Sequence, residues 1–84
     1  MMPRTEFCAH LMTVAARGDH ISDTDFAECC YQAVSAHGFD PAHLRTAMEI
    51  GVPAYERWMA GANLPHPMVR AKVLLAIAHY LKTA

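Results

Sequence analysis

The sequence predicts an all-α protein, a compact five-helix bundle, and three observations carry that class. Apolar residues recur at helical spacing along most of the chain. Glycines and prolines fall where helices should stop and start. No alternating apolar run is bounded by hairpin turn residues, so strand signals are missing. The 84 residues, 54% apolar and 18% charged, suffice for one core and are too few for two, so residues 1–84 are read as a single helical domain.

The first helix is expected from a Thr5 cap to Gly18, with Phe7, Leu11, Val14 and Ala15 on its inner face. In the second, Ser22 with an acid three residues later gives a capping-box pattern, and Gly38 closes the helix. Its inner stripe is Phe26, Cys30, Ala33, Val34 and His37. The third opens with Asp40 as cap and Pro41 at the first helical position, then stops at Gly51. The fourth has Pro53 in its first turn and Gly61 just past its end. Pro65 and Pro67 delay the last helix to about "HPMVRA". Its buried stripe is Val69, Val73, Ile77 and Leu81, joined by Leu74 or Tyr80.

Charge divides the chain at its middle. Residues 1–39 carry two basic and five acidic side chains, whereas residues 40–84 carry five basic and three acidic, for a formal net charge of -1. A mildly basic back half suits an anionic partner, and the acidic front pair suits dimerisation or a protein partner. No apolar run approaches the roughly 20 residues that cross a bilayer, so no membrane association is expected. Three cysteines, two of them adjacent, fit reduced thiols in a cytoplasm.

Helices three and four are short and separated by a tight glycine-containing turn, which gives the bundle a helix-turn-helix. The second helix of such a unit enters the DNA major groove. Ala47 is small enough to let the two helices approach, and Gly51 is free to turn. Val52, Tyr55 and Trp58 then lock the second helix on the domain, leaving Ala54, Glu56, Arg57 and Met59 outward. Trp58 reads as core, because a lone Trp three residues after a Tyr usually fills the space between helices. Arg57 takes a phosphate or a guanine edge, or stays solvated beside Glu56.

The run "DPAHLRTAMEIGVPAYERWMAGANLPHPMVRAKVLLAI" resembles the phage-repressor-like helix-turn-helix DNA-binding family. Ala47, Gly51, Val52, Arg57, Trp58, Gly61, Pro65, Pro67 and Arg70 carry the resemblance, which spans about residues 40–81. It implies a small transcriptional regulator of double-stranded DNA; with few basic residues to meet phosphates, a homodimer on half-sites about one helical turn apart is expected. By the same resemblance Pro53 to Ala60 form the recognition helix, exposing Glu56 and Arg57. Asn63, His66 and Arg70 fall in the loop and helix start that touch the DNA backbone. Pro53, Ala54, Arg45 and Lys72 complete the expected DNA-binding set, with Arg45, Arg57, Arg70 and Lys72 meeting phosphates.

The family usually places about two more residues between the turn glycine and the tryptophan, roughly another half turn. Either the recognition helix is truncated, or the turn begins earlier, at Glu49–Ile50, and Gly51 belongs to its end. The rival expectation is a helix-turn-helix-like module for protein contacts, a small accessory or inhibitory factor. No repeated Cys or His spacing points to a metal, and no cofactor is implied. With no nucleophile elbow, phosphate loop or paired carboxylates, an enzyme is not expected.

Overall fold

The computed structural model describes residues 2–83, which contain five α-helices and no strand. Helix α1 is Arg4–Ala15, α2 Asp23–Ser35, α3 Ala42–Met48, α4 Val52–Met59 and α5 Pro67–Thr83. A short 3₁₀ turn, Gly18–His20, joins α1 to α2. The molecule measures 28 × 25 × 21 Å.

Helix α5 is the hub, because its apolar positions are spread widely enough around the axis to meet several neighbours. It packs chiefly along α1, and also against the 3₁₀ turn, α2 and α3, while α4 packs mainly on α2. Val73, Leu74, Ile77, Ala78 and Leu81 of α5 are buried together with Phe7, Leu11 and Val14 of α1. The Cys8 thiol adds a weak contact to the Ala78 carbonyl, 3.8 Å away. Two connector residues, Ile21 and Phe39, are also buried and plug the ends of this core.

The helix ends follow local chemistry, with four departures from expectation. Helix α1 starts at Arg4 behind Pro3, so Thr5 lies within the helix and does not cap it. Ser22 caps α2 as expected, accepting from the Asp25 N–H at 3.1 Å. The Asp25 carboxylate, however, goes to Arg17 at 2.7 Å, which leaves the reciprocal half of the capping box unmade. Asp40 accepts from the Ala42 N–H, and Pro41 stands just before the first helical residue instead of inside it.

The departure with most consequence is at the end of α3. Helix α3 stops at Met48, and Glu49 takes the left-handed conformation with φ 59°. The Ile50 N–H then reaches back to the Leu44 carbonyl at 3.3 Å. Gly51 is extended, at φ -75° and ψ 153°, and serves as the residue before α4. The turn therefore begins at Glu49–Ile50, and Gly51 belongs to its end. Ala47, expected to let the two helices approach, is exposed.

Candidate nucleic-acid interface

Helix α4 has a firmly held inner face. Tyr55 is fully buried, and its hydroxyl donates to the Cys30 carbonyl of α2 at 2.8 Å. Burial, reinforced by the adjacent Cys30 side chain, pushes the Tyr55 phenol well above its ordinary range. Trp58 is 5% exposed and meets the edge of Phe26 with ring centroids 5.5 Å apart. Its indole N–H donates to the Asn63 carbonyl at 3.1 Å. This bond ties α4 to the loop that follows, where Gly61 is left-handed at φ 79° and Asn63 at φ 49°. Such a conformation suits Gly and Asn, whose short polar or absent side chain avoids the Cβ penalty.

The outer face of α4 presents Pro53, Glu56 and Arg57, all exposed. Arg45 of α3 and Lys72 of α5 are exposed as well. Among the described residues, neither Arg45 nor Arg57 makes an ion pair or a side-chain hydrogen bond. Arg45 shares a shallow depression with Glu49 and Gly51, so the turn places one acid beside one base. Two residues assigned outward turn partly inward: Ala54 and Met59 are half-buried and pack against the core. The helix is short, and its apolar arc is wide enough to draw both onto α2 and the core.

The loop residues divide in role. Asn63 and His66 are exposed. The His66 imidazole Nδ1 accepts the Met68 N–H at 3.2 Å, a local tie at the start of α5. Arg70, expected as a phosphate contact, is 6% exposed. Its Nε donates to the Pro65 carbonyl at 3.0 Å, and its terminal nitrogen donates to Ile21 at 2.9 Å. The same nitrogen pairs with Asp23 at 2.7 Å, and the guanidinium lies 5.8 Å from the centre of the Phe26 ring. Its Nε and one terminal nitrogen are thus engaged inside the fold. With Arg70 removed, the exposed charges of residues 40–84 are Arg45, Arg57, Lys72 and Lys82 against Asp40, Glu49 and Glu56.

No family model matches the chain, and neither a curated protein nor a solved structure does. The site is thus defined by its geometry alone. The earlier of the two expected turn positions, Glu49–Ile50, is the one found; what the sequence carries no signal for is the left-handed backbone of a glutamate there. Among the described residues no three of His, Cys, Asp or Glu come together as metal ligands. Cys30 and His37, read as one face of α2, are separated in role: Cys30 is fully buried, while His37 stacks on Phe7 at 4.3 Å. Among the described residues no helix is long and apolar enough to cross a membrane.

Proposed function

We propose that the chain is a small helix-turn-helix transcriptional regulator that binds double-stranded DNA, with α4 as recognition helix. The observation that supports this most is the asymmetry of α4. Tyr55 and Trp58 fix the helix from behind, while Pro53, Glu56 and Arg57 stand exposed with no internal partner. A short helix held rigidly by its back and polar on its front has what groove insertion requires.

Arg57 then meets a phosphate or a guanine edge, with Arg45 and Lys72 on backbone phosphates. Three cations and two nearby acids make affinity modest per chain, so two copies on a pseudo-palindromic site fit the reading best. Duplex binding followed by fluorescence anisotropy across a salt series tests it. Each phosphate contact contributes a slope of about -0.9, so Arg45→Ala should flatten the salt dependence by about that amount. Absence of binding at low salt by dimeric protein, or unchanged binding by an Arg45→Ala/Arg57→Ala variant, sinks the reading.

A second reading, a helix-turn-helix-like module for protein contacts, is favoured by one observation. The side of α4 that faces α2 borders an apolar groove whose rim carries acids and no base.

A further inference from the structure

Two shallow depressions of about 310 and 400 Å³ lie on the α2–α4 side, and Met59 and Ala60 line both, so they adjoin as one open furrow. Its floor is apolar, made by the half-buried Val34, Met59 and Leu64. Tyr31 stands on one wall with half of its surface exposed. Among the described residues, Asp23, Glu28 and Glu56 are the charged members of the lining, and no lysine, arginine or histidine joins them. The charge of Asp23 is met by Arg70, so the free charges on the rim are Glu28 and Glu56, one on each helix. Glu28 is further held by the Gln32 side-chain amide, which donates to it at 3.1 Å.

The corresponding groove between α1 and α5 has the opposite rim. There the charged residues are Arg4 and Lys82, around Cys8, Ala9 and Leu81. The acidic rim is therefore a property of the α2–α4 side and not of the surface at large.

We propose that the α2–α4 groove docks a basic amphipathic helix of a protein partner. Its apolar stripe lies on Met59, Val34 and Tyr31, and its lysines or arginines pair with Glu28 and Glu56. Two helices with an apolar furrow between them accept a third by the helix-in-groove mode, in which residues at i, i+3, i+4 and i+7 serve as anchors. Glu28 borders one depression and Glu56 the other, so the charge selects which helices enter as well as adding attraction. This names the partner class for the protein-contact reading and rests on that reading; it does not depend on DNA binding by α4.

The test uses the full-length ¹⁵N-labelled protein and a synthetic peptide with leucines at helical a and d spacing and lysines elsewhere. A peptide with glutamate in place of lysine, and a scrambled lysine peptide, serve as controls. The expected result is amide shifts confined to residues around Glu28, Tyr31, Glu56 and Met59, with the lysine peptide alone. Charge reversal by Glu28→Lys/Glu56→Lys should weaken binding by about tenfold, and Tyr31→Ala, an exposed position, should weaken it without unfolding. Equal binding of either control, shifts centred on the α1–α5 groove, or no shifts would overturn the proposal. Shifts at the same amides on concentrating the protein without peptide would overturn it too, by making a second copy the occupant. Duplex titrations run on Glu28→Lys and Tyr31→Ala, both on α2 and away from the exposed face of α4, keep this outcome separate from that of the DNA reading.

Discussion

Arg70 of α5 donates a hydrogen bond to the carbonyl of Ile21, 49 residues earlier, at 2.9 Å. The guanidinium thus clamps the corner between the 3₁₀ turn and α2 to the last helix, and its bond to Pro65 holds the loop after α4 in the same grip. Removing it would leave two carbonyls short of a donor and Asp23 without its cation. Arg70→Met is expected to cost about 3 kcal/mol, within the range for losing charged hydrogen bonds in a buried setting. Urea unfolding measures this. Asp23→Asn should cost under about 1 kcal/mol, because the Asp23 side chain is 75% exposed and solvent screens the pair.

The turn between α3 and α4 gives a prediction that reverses the usual place of glycine. Glu49→Gly should stabilise the protein by about 1 kcal/mol, since a side chain at φ 59° carries a left-handed penalty of about that size. Gly51→Ala should be nearly neutral, because its φ is -75° and an added Cβ meets only the Pro53 Cδ at 3.6 Å. Gly61→Ala, at φ 79°, should cost about 1 kcal/mol. Thermal denaturation of the three variants ranks them.

His37 gives the fold an acid sensitivity near neutrality. Burial, and then the charge of Arg4, hold its imidazole below the ordinary histidine range. A folded-state value below the unfolded one makes stability complete above about pH 6.5 and lost as pH falls through the folded value. Stability should therefore decline on acidification below about pH 6.5, and His37→Gln should flatten that part of the profile. Denaturation at stepped pH checks it, with NMR titration of the imidazole to place the midpoint.

Cys29 and Cys30 should resist thiol reagents. Burial pushes the Cys29 thiol up to about 11 and the Cys30 thiol up to about 12, so almost no thiolate exists at neutral pH. Mass spectrometry after brief alkylation should find both unlabelled in native buffer and labelled in urea. Labelling of Cys30 in native buffer at the rate seen in urea would contradict the packing of α2 on Tyr55.

Much of the fold was legible because it is written locally. Phe7, Leu11, Val14, Phe26, Ala33, Val73, Ile77 and Leu81 declare their burial by helical spacing, and Ser22 and Gly38 declare two helix ends. What escaped depends on distant parts of the chain. Nothing near Arg70 announces the Ile21 carbonyl, so an arginine in a basic half of the sequence read as a cation for phosphate. Cys8 and Cys29 flank the expected stripes and are nonetheless buried, Cys8 against Ala78 of α5. The turn stayed open between two positions for a different reason: glycine is the better left-handed residue, yet register puts Glu49 there. Of the candidate site, the exposure of Arg45, Arg57 and Glu56 followed from helical geometry, whereas the inward lean of Ala54 and Met59 needed the position of α2.

The anchoring of α4 through Tyr55 and Trp58 has an evolutionary consequence. The three exposed residues Pro53, Glu56 and Arg57 carry none of the bonds that hold the helix, so substitutions of the last two leave folding nearly untouched. A lineage descended from this chain can therefore change what its surface meets in single steps, each surviving on its own merits, while the indole and the phenol beneath stay fixed.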